Sequence, residues 1–379
     1  MSKTNSIIGS VTDLLQSIDR PAIVTAFSGG PDSTVLLHAL HYASRQLLSQ
    51  GKNSPEIYAA HCNFRLRGEE SQRDMDFAQR TTDTLEIPCF TIEFDTLSYC
   101  RENKLSVEMG ARRLRHEWFR ELCSEYNALL ATGHNADDNA ETMLLNMLRG
   151  SGVRGLKGML PRQGNIIRPL LHFSREDIMQ YIVENHLEYV TDSTNLSSDY
   201  RRNFLRNEIM PLLQSRWPGA KRGLATTLAC LADDYDVIEH AVSHSLPARH
   251  DILTWETLRE FAAPRLLLLR HFEPYGLTPD IAREIEHHIP CPRPGAVWYI
   301  HDTAHHPYII RATSKGLSLS ASYHQDENNE EKGFNPDMDG SANERFVWSE
   351  QMDVNDANIA IVRQLPLSEC ALPRDKEHY

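Results

Sequence analysis

Residues 28–33, Ser-Gly-Gly-Pro-Asp-Ser, follow directly on the apolar run Ala22-Ile23-Val24-Thr25-Ala26-Phe27 and lead into a helical pattern of Val35, Leu36, Leu37, Ala39, Leu40 and Ala43. A strand, a small-residue turn and a helix in that order aim main-chain N–H groups and the positive end of a helix dipole at one point. Gly29 and Gly30 allow close approach of the backbone to a ligand and tolerate positive φ. Ser28 and Ser33 add hydroxyls, and Asp32 places a carboxylate where it could hold Mg²⁺ beside a phosphate. The turn reads as a phosphate cradle. It is not a Walker loop, because no Gly-Lys-Ser/Thr follows the glycines. Nor is it a dinucleotide fingerprint, which requires a third glycine opening the helix.

The pattern around this turn repeats through the first 150 residues. Apolar runs at Ile57–His61, Cys89–Phe94 and Ala128–Thr132 alternate with helical stretches through Asp74, Phe77 and Leu85, from about Ser106 to Tyr126, and from about Asp137 to Leu148. Such alternation predicts an α/β fold, a parallel sheet with flanking helices whose ligand-binding turns gather at the carboxyl edge. The Ser-Gly-Gly turn, the His61 loop and the His134 loop all follow predicted strands, so they are expected to converge. A helix is expected from about Ser174, with Glu176 and Asp177 in its first turn. Residues 216–320 read as a mainly helical second domain interrupted by prolines. Residues 321–379 read as an acidic linker and the start of an incomplete C-terminal domain.

Charge distribution bears on the choice of partner. The net charge of −13 is concentrated at the end of the chain, where residues 321–379 carry 5 Lys and Arg against 13 Asp and Glu. The stretch between Arg149 and Arg222 is rich in arginine, so an acidic whole is compatible with a basic strip facing RNA. The seven cysteines, at 62, 89, 100, 123, 230, 291 and 370, form no Cys-x-x-Cys pair. Neither a disulfide framework nor a zinc site is signalled. No secretory signal or membrane-spanning apolar stretch is evident, and a cytoplasmic location is expected.

Two further segments carry chemistry-bearing side chains. In Glu108–His116, helical spacing puts Arg112, Arg115 and His116 on one face and turns Arg113 away. A cationic face of this kind suits phosphate recognition, or equally a salt-bridged surface helix. In Gly133-His134-Asn135-Ala136-Asp137-Asp138-Asn139-Ala140-Glu141-Thr142, capping accounts for one carboxylate. It leaves His134, Asp138 and Glu141 unexplained, and a His/Asp pair near Asp32 could coordinate Mg²⁺ or handle a proton.

The Ser-Gly-Gly turn resembles the loop of the PP-loop ATP pyrophosphatases, and the remaining motifs narrow the likeness to the tRNA(Ile)-lysidine synthase family. They are His61-Cys62-Asn63-Phe64-Arg65-Leu66-Arg67, Ala111–Arg115, Gly133–Thr142, Leu148–Leu156, Arg168-Pro169-Leu170-Leu171, Asp192-Ser193-Thr194-Asn195 and Arg201-Arg202-Asn203-Phe204-Leu205-Arg206 with Pro211. Phe64 stands where the family has a second histidine, and His116 where a tyrosine is usual. The resemblance implies an adenine nucleotide alpha hydrolase-like fold. It also implies ATP held by Ser28, Gly29, Gly30, Pro31, Asp32, Ser33 and His61, with Mg²⁺ on Asp32 and Asp138.

The implied reaction joins free lysine to C2 of the wobble cytidine of the CAU-anticodon tRNA(Ile), through an adenylated tRNA, releasing AMP and pyrophosphate. Asp32, Arg112, Arg115, His134 and Asp138 would carry the chemistry; Arg149, Arg154, Arg201, Arg202 and Arg206 would contact tRNA, and a homodimer is possible. Alternative readings are a PP-loop tRNA thiolase, a small-molecule synthetase of the kind making GMP or NAD, or a non-catalytic tRNA-binding module.

Overall fold

The computed structural model describes residues 3–191, 201–248 and 251–321, apart from the side chain of Arg201. The Asp192–Asn195 motif and the acidic C-terminal stretch lie outside them. Contacts divide the described chain into two units, the first running to Ala232 and the second starting at Asp233.

In the first unit, α1 (Lys3–Ser17) precedes β1 (Ala22–Ala26), α2 (Pro31–Ser49), β2 (Glu56–Asn63), α3 (Glu69–Thr84) and β3 (Cys89–Glu93). There follow α4 (Thr96–Asn103), α5 (Val107–Glu125), β4 (Ala128–Ala131), α6 (Ala136–Leu148) and α7 (Val153–Leu156). A short hairpin, β5 (Arg162–Gln163) and β6 (Ile166–Ile167), leads to α8 (Arg175–Glu184). The strands form one sheet in the order β3-β2-β1-β4-β6-β5. All neighbours are parallel except the β5–β6 pair. The order reverses direction beside β1, so the turns after β1 and β4 open into one crevice at the carboxyl edge.

Local chemistry explains the element boundaries. Pro31 occupies the first turn of α2 with Asp32 beside it, matching the preference for proline and acid at a helix start. Ser106 caps α5 by accepting from the Met109 N–H. Asn135–Asp138 and Ser174–Asp177 each close a reciprocal capping box, on α6 and α8. The strands and helices expected between residues 22 and 148 are present, with ends shifted by a few residues. The structure adds α1, α4 and the β5–β6 hairpin.

The core on one side of the sheet joins Ile7, Val11 and Leu15 of α1 to Val35, Leu36, Ala39 and Leu40 of α2 and to Ile178, Tyr181 and Ile182 of α8. Ile23, Leu129 and Ile167 form its floor in the sheet. A smaller cluster around Phe27, Leu37, Ala59, Phe77 and Ala78 seats α3. Inside the main core, His38 Nδ1 and the Tyr181 hydroxyl lie 2.8 Å apart. Burial pushes His38 down to about 4, so the ring is neutral and this bond serves a buried polar pair.

Residues 201–216 are helical, as α9 (Arg201–Phe204), a π-helical turn (Leu205–Ile209) and α10 (Met210–Arg216). The long α11 (Ala220–Ser245) contains the boundary between the units. The second unit has α12 (Trp255–Glu260), α13 (Pro264–Phe272) and α14 (Pro279–His288), as the mainly helical reading anticipates. It also holds an antiparallel sheet ordered β7-β10-β9-β8, from β7 (Leu253–Thr254), β8 (Val297–His301), β9 (Pro307–Ala312) and β10 (Gly316–Ala321). Trp298, Ile300, Ile310 and Leu317 of this sheet pack with Leu258, Leu267 and Phe272.

Replacing Tyr181 by Phe removes the partner of the buried His38 nitrogen. A loss of about 1–3 kcal/mol in urea denaturation is expected, with the fold retained.

Candidate active site

The Ser-Gly-Gly turn is held open by its own side chains. Ser28 Oγ and Ser33 Oγ are 3.1 Å apart, and Ser33 Oγ donates to the Gly30 carbonyl at 3.0 Å. Gly29 has φ +83°, a conformation that disfavours a side chain, and a Cβ there would stand 3.1 Å from the Phe77 ring. Its carbonyl accepts from the Val190 N–H at 2.8 Å. Gly30 is the N-cap of α2 and provides no side-chain cap. The first-turn amides of a long helix are therefore left for a ligand, and an anion is what they favour.

The turn after β4 closes on this loop. Gly133 permits the approach: a Cβ there would meet the Asp32 carbonyl carbon and the Ser33 nitrogen, both at 3.1 Å. The buried Asn135 side chain then does two jobs. Its Oδ1 accepts from the Asp138 N–H at 3.0 Å to cap α6, while its Nδ2 donates to Asp32 Oδ1 at 2.8 Å. The two strand ends are thereby stitched together through one amide. Burial and the neighbouring Asp138 carboxylate raise the Asp32 carboxyl above its ordinary value, against the opposing pull of Arg175 and Asn135. Arg175 Nη1 lies 3.7 Å from Asp32 Oδ2.

Asp138 and Glu141 face two arginines. Arg206 grips Glu141 with two bonds, Nε to Oε1 at 2.7 Å and Nη2 to Oε2 at 2.8 Å, and also donates to Asp138 Oδ1 at 2.7 Å. Arg202 donates to Glu141 Oε2 at 3.0 Å and to the Asp138 carbonyl at 3.1 Å. The Glu141 side chain is only 2% exposed, so this buried carboxylate depends on the two guanidiniums for its charge balance. Beside the network is a cleft of about 210 Å³ whose lining includes Asn135, Asp137, Glu141, Arg175, Arg206 and Lys221. Lys221 pairs with Asp137 at 2.7 Å, and the Arg175 N–H donates to Asp137 at 2.8 Å.

The cationic helix face meets this cluster. Burial, followed by the charges of Arg115 and Arg202, pushes Arg112 below its ordinary value. Arg113 turns away to Glu117 at 3.1 Å, as its helical position predicts. His134 Nδ1 lies 2.9 Å from Thr132 Oγ1. Burial, reinforced by Arg168, Arg202 and Arg115, pushes His134 down to about 4 despite Asp138. Burial and the two arginines hold His116 at about 4 as well. Both rings are neutral at pH 7.

His61 is buried, with Nδ1 2.9 Å from the Phe27 carbonyl, and so braces the strand that carries the loop. Phe64 stacks on Phe94. Arg149 is exposed after α6, and Arg154 is half-buried in α7. Arg202 and Arg206 are directed onto carboxylates. Asn135, Arg175 and Lys221 join the site without having been singled out by sequence. The signal for Asn135 was its N-cap position; Arg175 and Lys221 had none beyond membership of a basic stretch.

Residues 3–213 match the family model described as PP-loop domain. The chain belongs to that family. Among curated proteins it is 40% identical over 275 residues to a tRNA(Ile)-lysidine synthase of Parabacteroides distasonis, covering 72% of this chain and 60% of that one. It is also 40% identical over 309 residues to the tRNA(Ile)-lysidine synthase of Porphyromonas gingivalis W83, covering 79% and 64%. The chain thus spans about three-fifths of the length of these relatives. Among solved structures, the U34-tRNA thiolase NcsA from Methanococcus maripaludis aligns with a TM-score of 0.49 and 18% identity, over 61% of this chain and 80% of that one.

Two outcomes test this PP-loop site. Asn135→Ala should lower stability by about 1–2 kcal/mol in urea denaturation, through loss of the cap and of the tie to Asp32. For His134 the unfolded ring takes up its proton near 6.5 and the folded ring near 4, so stability falls as pH drops through that window. A proton-detected titration of the imidazole should place its midpoint near 4, and His134→Gln should remove that part of the pH dependence.

Proposed function

We propose that the chain is a tRNA(Ile)-lysidine synthase: it activates the wobble cytidine of the CAU-anticodon tRNA(Ile) with ATP and joins lysine to C2. The observation carrying this reading is that the phosphate loop, two carboxylates and a cationic helix face gather at one sheet edge. ATP sits on Ser28–Ser33. The cytidine O2 attacks the α-phosphorus, forming the P–O bond of an adenylate as the bond to pyrophosphate breaks. A lysine amine then attacks C2, and the C2–O bond breaks to release AMP. Adenylation turns a poor leaving oxygen into a good one.

The residues take distinct parts. The α2 amides and Ser28 bind phosphate, while Arg112 and Arg115 offset charge developing on the adenylate. Asp138, with Glu141 beside it, orients the incoming amine and takes its proton. Neutral His134 faces the activated base. Asp32 and Asp138 would hold a Mg²⁺, which would supply positive charge to neutralise the triphosphate. Exposed Arg149 and half-buried Arg154 are suited to tRNA phosphates.

Three of the buried thiols are poorly suited to sulfur transfer. Burial pushes Cys62 and Cys123 up to about 12 and Cys89 up to about 11, away from the thiolate that sulfur transfer uses.

The test is incubation with ATP, labelled lysine and the CAU-anticodon tRNA(Ile). Label should enter the RNA in step with AMP release, and Asp32→Ala should reduce the rate by about 10²-fold or more. Release of ADP in place of AMP, or unlabelled RNA at full ATP turnover, would overturn the reading.

A further inference from the structure

Arg168 is the residue following β6, at the same carboxyl edge as the loop. Ala131 of β4 lies opposite Ile167 of β6, and the Thr132 N–H donates to the Ile167 carbonyl at 3.0 Å. Arg168 therefore emerges next to Thr132–His134. The residue is 5% exposed. Its Nη1 donates to the Leu160 carbonyl at 2.9 Å. Its Nε is buried without an acceptor, and no carboxylate among the described residues pairs with it.

Each of the neighbouring arginines 175, 202 and 206 has a carboxylate partner. Among the described residues, Arg168 alone of these four is a buried cation with no carboxylate partner. A guanidinium withdrawn from water in this way is costly unless something anionic reaches it. Nε, and Nη2 beside it with no bond among those found for the described residues, form the side a guanidinium uses for a two-bond grip on an oxyanion. Its charge is also close enough to His134 to help hold that ring neutral.

We infer that Arg168 receives an oxyanion of a bound substrate, either the phosphate of the nucleotide or the carboxylate of the free amino acid. The naming of these two sources rests on the function proposed above, but the need for an anion at Arg168 does not.

The experiment compares Arg168→Lys and Arg168→Gln with the unaltered protein. One arm measures binding of AMP and of a non-cleavable ATP analogue by calorimetry. The other measures the lysine dependence of product formation, with competition by lysine amide, which lacks the carboxylate. A nucleotide contact weakens AMP and the analogue at least tenfold and leaves the KM for lysine unchanged. A carboxylate contact raises the KM for lysine at least tenfold at unchanged nucleotide affinity, and removes the preference for lysine over its amide.

Either result, with a melting temperature within a few degrees of the parent, supports the inference. Two folded variants with both arms unchanged overturn it, as does a lowered melting temperature alone. Should a variant not fold, the arginine Nε–H resonances of the unaltered protein decide: a resonance shifted by AMP or by lysine supports the inference, and none shifted by either overturns it. Arg168-dependent AMP binding without lysidine formation would sink the proposed function and leave this inference standing.

Discussion

The arrangement rests on the Asn135 amide. Its oxygen caps α6 and its nitrogen holds Asp32, so a single planar group fixes the distance between the turn after β1 and the turn after β4. Both bonds are made in a buried position, where an unpaired amide would be costly; neither turn can relax away without exposing that cost. The absence of a side chain at Gly133 lets the same two turns come into backbone contact. Asp32 is consequently brought near Asp138, and their mutual repulsion is answered by Arg175 and Arg206.

Charge balance is the second organising constraint. Asp32, Asp137, Asp138 and Glu141 lie on two neighbouring helix starts, each matched by a cation from a later part of the chain. Arg175, Arg202, Arg206 and Lys221 all come from residues beyond the β6 strand. Segments remote in sequence are therefore held to the sheet edge by pairing as much as by apolar burial. A cluster so nearly neutral can admit a charged ligand by exchanging partners, which limits the desolvation cost of binding.

Sequence alone was informative where a signal is repeated or chemically unusual. The strands β1 to β4 and the helices after them follow from apolar runs separated by amphipathic stretches, and the Ser-Gly-Gly-Pro-Asp-Ser turn follows from its composition. The two-residue strands β5 and β6 are too short for any period, and their hairpin became visible only through pairing with β4. In the second unit, Val297-Trp298-Tyr299-Ile300-His301 alternates outward and inward in space, but its side chains are nearly all apolar or aromatic, so that alternation is hidden in one dimension. The partners of Glu141 were illegible for a different reason. Arginines at 202 and 206 look the same in a sequence whether they face RNA or a carboxylate 61 and 65 residues away.

The π-helical turn at Leu205–Ile209 sits between the α-helical segments that bear Arg202 and lead into Pro211. A π turn accommodates one residue more than the regular spiral, and Pro211 could not in any case have supplied the amide that an uninterrupted α-helix requires. Deleting a single amino acid here would restore ordinary winding and remove the wider turn that carries Arg206. The stretch is thus fixed in its length more tightly than in its composition: apolar exchanges at its outer positions leave the geometry intact, whereas a one-codon gap would not.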